Sequence, residues 1–96
     1  MGASTGLEAF IDNGLGVASK RGYHPTVFIG MRQRHGTARA ISRLVVSGEI
    51  QSGFRRLQEL GLLEWSIEEA VMRFPDEFSR EVREAAEWRL SQARAG

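Results

Sequence analysis

Apolar residues recur at three- and four-residue intervals along most of the chain, and no segment alternates with period two over a strand's length. Leu7, Phe10, Ile11, Leu15 and Ala18 mark out a first helix over residues 5–20, with Thr5 or Ser4 available as its N-cap. Gly14 falls inside that stripe and costs about 1 kcal/mol of helix propensity relative to Ala. Either a neighbouring element approaches closely there or the helix is broken. Gly22 and the run Tyr23-His24-Pro25 end it, because a residue before proline is pushed out of the α region. Pro25 or Thr26 then opens a second helix, with Val27, Phe28 and Met31 expected inward and Gly36 expected as a left-handed C-cap.

Residues 37–60, TARAISRLVVSGEIQSGFRRLQEL, read as two short helices joined by a turn. Thr37 is placed to cap the first of them, and Gly48 to end it. Ala38, Ile41, Leu44 and Val45 share one face, with Arg39 and Arg43 opposite. Ser52 is placed to cap the second, which Gly61 closes; Phe54, Leu57 and Leu60 turn inward while Arg55 and Arg56 point away. Leu62 to Trp65 reads as an extended link. Ser66 and Glu69 form a capping-box pattern for a fifth helix carrying Ile67, Ala70, Val71 and Phe74, and Pro75 stops it. Ser79 caps a last helix with a Val82, Ala85, Ala86 and Leu90 stripe and i,i+4 pairs Arg80–Glu84 and Arg83–Glu87. The expectation is all-α: a compact bundle of five or six short helices, one domain over residues 6–94 behind a flexible tail, 1–5. Its core should centre on Phe28, Ile41, Leu44, Phe54 and Leu57.

Composition agrees with one globular domain: 96 residues, 42% hydrophobic and 26% charged. No apolar run approaches the roughly 18 residues of a membrane span, and the N-terminus lacks the basic-then-apolar order of a secretory signal. The absence of cysteine removes disulfides and thiolate metal sites and suits a cytoplasmic protein. The net charge of +1 conceals an asymmetry. Lys20, Arg21 and six arginines (32, 34, 39, 43, 55 and 56) face Glu49 alone over residues 20–56. Residues 57–96 hold five arginines against nine acids.

Catalytic or metal chemistry finds little material. His24 and His35 suit a turn and a helix C-terminus rather than a ligand set, so no metal is expected. Glu64, Glu68, Glu69, Asp76 and Glu77 fit no calcium loop. The serines are explained as caps, and no nucleophile elbow or phosphate-cradling glycine loop is present. A non-enzymatic module without cofactor is therefore expected. Its first candidate site is Arg32, Arg34, Arg39, Arg43, Arg55 and Arg56, whose guanidinium forks match phosphate oxygens and suggest nucleic-acid contact. Arg89 stands apart: it interrupts the last apolar stripe, as a structural arginine paired with Glu64 or Glu68 would. The runner-up is protein–protein interaction, including a homo-oligomer in which the basic half of one copy meets the acidic half of another.

A sparser pattern runs through the same residues. Tyr23, Pro25, Thr26, Phe28 and Met31 are followed by His35-Gly36; Gly53, Phe54, Leu57, Glu59, Gly61, Leu63, Glu64, Ser66 and Glu68 follow, and then Arg89-Leu90. Over residues 22–90 this resembles a small helical bacterial domain of unknown function that occurs alone or at the C-terminus of larger proteins. The chain departs from that pattern at Leu63-Glu64-Trp65-Ser66 and at Pro75, which shortens the following helix. The resemblance implies a helical fold and no particular activity; for a free-standing copy it suggests an adaptor or inhibitor in bacterial defence or phage anti-defence.

Overall fold

The computed structural model describes residues 4–47 and 52–95, without the side chains of Ser52 and Ala95. Among the described residues six α-helices follow one another: α1 (Thr5–Lys20), α2 (Thr26–His35), α3 (Thr37–Val46), α4 (Ser52–Glu59), α5 (Ile67–Arg73) and α6 (Arg80–Ala95). Two 3-10 turns, Leu63–Trp65 and Pro75–Glu77, flank α5. Among the described residues there is no strand, and the fold is an all-α bundle. No helix in it is long and apolar enough to cross a membrane.

Capping chemistry sets several boundaries. Ser4 Oγ accepts the Leu7 N–H (3.2 Å), and the Glu77 carboxylate accepts from both the N–H and the hydroxyl of Ser4 (2.8 and 2.6 Å). The helix thus begins inside the stretch expected as a tail; Met1 to Ala3 lie outside the described residues. Ser66 Oγ accepts from the Glu69 N–H (3.1 Å) and Ser79 Oγ from the Val82 N–H (3.3 Å), as their spacing predicts. Thr37 does not cap α3. That position belongs to Gly36, whose φ of +88° lets one residue end α2 and start α3. The expected stop at Gly48 falls outside what the structure describes, and Ser52, expected as a cap, is the first residue of α4 itself.

The core joins Leu7, Phe10 and Ile11 of α1 to Phe28 of α2, Ala40, Ile41 and Val45 of α3, Ala70 and Val71 of α5, then Phe78 and, on α6, Val82 and Ala86. Its centre lies nearer the C-terminal helices than expected. Phe28 and Ile41 are part of it and Leu44 packs at its edge, but Phe54 and Leu57 are only half-buried. The reason is that α3 packs on α5 and α6 as well as on α2, so the long C-terminal helix supplies the apolar surface assigned to α4. Val27, expected inward, is 68% exposed because Phe28 and Met31 carry the inner side of α2.

Residues 62–65 are not extended. Trp65 N–H donates to Leu62 O (2.9 Å) and Ser66 N–H to Leu63 O (3.0 Å), a tight turn that stacks Trp65 on Phe10 with ring centroids 5.2 Å apart. That turn also explains Gly14, where a Cβ would stand 3.3 Å from the Trp65 carbonyl oxygen. The glycine permits close approach and α1 runs unbroken past it. On α6, Arg80 pairs with Glu84 (3.1 Å), whereas Arg83 turns back to donate to the carbonyls of Phe78 (2.9 Å) and Pro75 (3.3 Å) instead of meeting Glu87.

Candidate functional site

The arginines separate into those the fold consumes and those it leaves to solvent. Arg89 is consumed: its guanidinium donates to Glu68 Oε2 (2.8 Å) and to the Ser47 carbonyl (2.7 Å), so α6 grips α5 and the end of α3 together. Glu68 is 1% exposed and Glu64 is exposed on its turn, which assigns the pair to Glu68. Burial pushes the Glu68 carboxyl above the usual range, against the pull of Arg89.

Arg32 is consumed as well, which removes it from the phosphate-facing set. It donates to Glu8 Oε1 (2.6 Å) and Thr37 Oγ1 (2.8 Å) and meets Asp12 at 2.9 Å, while Thr37 in turn donates to Glu8 (2.6 Å). This network fastens α1 to the α2–α3 junction. The Thr37 hydrogen bond and the Arg32 guanidinium hold the Glu8 carboxyl below the usual carboxylate range. Sequence spacing carried no sign of it, since Glu8 and Thr37 are 29 residues apart.

What remains is a cationic corner. Arg34 and His35 occupy the last turn of α2, where positive charge suits the helix dipole. Arg39 and Arg43 lie one turn apart on α3, and the single-residue hinge at Gly36 brings the two helices side by side. All four side chains are exposed. Among the described residues no carboxylate pairs with Arg34, Arg39 or Arg43. Local desolvation and the fields of Arg43, Arg34 and Arg39 push the His35 imidazole below its usual range. Comparison matches nothing: no protein-family model, curated protein or solved structure is similar to this chain.

Arg55 and Arg56 are exposed on α4, with Arg56 in a long contact to Glu59 (3.5 Å); no described contact joins them to the corner. Below α4 lies a cleft of about 270 Å³, walled by Leu15, Phe28, Leu44, Phe54, Leu57 and Trp65, with Glu68 also in its lining. Gly53 admits α4 against the Tyr23 hydroxyl, and burial raises the Tyr23 phenol. Helix periodicity gives no warning of a cleft, because its walls are the same inward residues that would otherwise fill a core. Among the described residues no three His, Asp or Glu side chains are grouped to hold a metal ion.

Proposed function

We propose that this domain is a non-enzymatic, cytoplasmic binding module that contacts polyanions, in the first place nucleic-acid phosphates, through the α2–α3 corner. The observation that supports the reading is the unneutralised set Arg34, Arg39 and Arg43, in a fold that pairs Arg32, Arg89, Arg94 and Arg80 with acids. Three guanidinium groups gathered on one exposed corner repel one another, and an approaching phosphate removes that repulsion while accepting charge-assisted hydrogen bonds. Contacts of this kind read the backbone rather than the bases.

The test is a fluorescence-anisotropy titration with duplex and single-stranded oligonucleotides at about 50 and 200 mM salt. Three phosphate contacts on duplex DNA should weaken binding about 40-fold between those conditions, at roughly 0.9 logarithmic units of affinity per unit of log salt per contact. The Arg39→Glu, Arg43→Glu double variant should lose most of the binding. Absence of binding at the lower salt overturns the reading. It would bring forward a protein-binding module, adaptor or inhibitor, for which Trp88, 65% exposed on α6, is the observation in favour.

A further inference from the structure

Two surface features stand apart from the α2–α3 corner. The first is the cleft below α4. Phe54, Leu57 and Trp65 stay half-buried around it, and Val27, 68% exposed, belongs to its lining. Its flanks are basic: Lys20 and Arg21 are exposed between the lining residues Ala18 and Tyr23, and Arg55 and Arg56 between Phe54 and Leu57. Two exposed acids flank the lining as well, Glu59, which meets Arg56 at 3.5 Å, and Glu64 beside Trp65, so positive charge prevails.

The second is Trp88, 65% exposed on α6, and its surroundings are acidic. Glu84 lies one turn before it and Glu81 two turns before, on the same side of the helix; Glu87 precedes it, and all three are exposed. Arg80 takes up Glu84 (3.1 Å), but among the described residues no ion pair involves Glu81 or Glu87. The two features match in size, polarity and charge. A cavity of about 150 Å³ accommodates benzene, so a cleft of about 270 Å³ has room for the fused rings of an indole. Phe28, Phe54 and Trp65 offer that indole aromatic walls, and the acids around it meet the cations of the rim. We propose that the occupant of the cleft is Trp88 of a second copy of this chain, so that the domain self-associates through α6 of one copy and the α1–α4 cleft of another. Burial of the ring supplies most of the affinity, as tryptophan anchors do, and the rim charges make it depend on salt. One anchor and a few exposed charges make a small interface, so association is weak and reversible.

The experiment is sedimentation velocity on the full chain from ~10 µM to ~1 mM, the range that resolves weak self-association. The mean mass of wild type should rise with concentration, and added salt should reduce the rise. Trp88→Ala should stay monomeric, as should Leu57→Arg, which puts a charge into the cleft. A mixture of these two variants should form a one-to-one complex, because one still offers the cleft and the other the ring. Arg55→Glu, an exposed change away from the core, should weaken wild-type association severalfold and keeps the test open should Leu57→Arg fail to fold. A monomer at every concentration overturns the inference. So does self-association that survives Trp88→Ala or is indifferent to Arg55→Glu. Neither result touches the polyanion reading, which rests on Arg34, Arg39 and Arg43.

Discussion

Arg89 and Glu68 are the clearest case in which two side chains account for each other. Either one alone would be a charge carried into the interior; together they form a pair at 2.8 Å with the Ser47 carbonyl sharing the guanidinium. Arg89→Ala strands the Glu68 carboxylate and should cost about 3–5 kcal/mol in urea unfolding at neutral pH. The sign of its pH dependence follows. Without Arg89, burial is opposed only by a backbone hydrogen bond and raises the carboxyl further, and a raised acid costs stability only once ionised. The variant should therefore lose less stability at about pH 5 than at about pH 8. Equal losses at both would show that the carboxylate is not stranded. Glu8 behaves oppositely. Its value is lowered, so its contribution is present above the ordinary glutamate range and disappears as pH falls through the lowered one. Glu8→Gln should be less stable near neutrality and show a shallower loss of stability on acidification, read from unfolding midpoints below about pH 5.

At the scale of elements, α3 and α4 look alike in sequence and differ in role. Both carry an apolar side and a pair of arginines, but α3 is covered on several sides whereas α4 closes over a cleft. Ile41 is fully buried, and Ile41→Ala should cost roughly 2–5 kcal/mol through lost transfer energy and a new cavity. Phe54 is half-buried beside space that already exists, so Phe54→Ala should cost only about 1 kcal/mol, a fraction of the free energy of fully burying Phe. Denaturant unfolding of the two variants decides the point; a Phe54 loss as large as that of Ile41 would place α4 in the core. Gly36 is the hinge on which the corner depends. Its φ of +88° with ψ of 163° lies in a region essentially restricted to glycine, so Gly36→Ala should cost about 1–3 kcal/mol and disturb the α2–α3 angle.

For the molecule as a whole, the fold withdraws part of the charge that the basic middle and acidic C-terminal part carry in sequence. Arg32 and Arg89 are withdrawn into internal pairs, while Lys20 and Arg21 at the end of α1, Arg34, Arg39 and Arg43 at the α2–α3 corner, and Arg55 on α4 stay exposed. Because Arg39 and Arg43 touch no acid among the described residues, reversing both charges should change stability by no more than about 0.5 kcal/mol per site. Thermal unfolding of the double variant, set beside its lost polyanion binding, separates a surface role from a structural one. A drop of several degrees would show that these arginines support the fold.

Helix number, order and most boundaries were legible in the chain because they depend on local spacing: apolar residues at three and four, serines at caps, glycine and proline at stops. The structural nature of Arg89 was legible for the same reason, as a charge interrupting an apolar stripe. What only the tertiary structure decided are the matters in which distant residues compete for the same space or charge. Arg32 looked as available as Arg34 until Glu8 and Asp12 of α1 were brought to it. Phe54 and Leu57 looked as central as Ile41 until α5 and α6 occupied the other side of α3. Periodicity tells which side of a helix is apolar; which neighbour covers that side, and which charges remain in water, depends on packing between segments far apart in sequence.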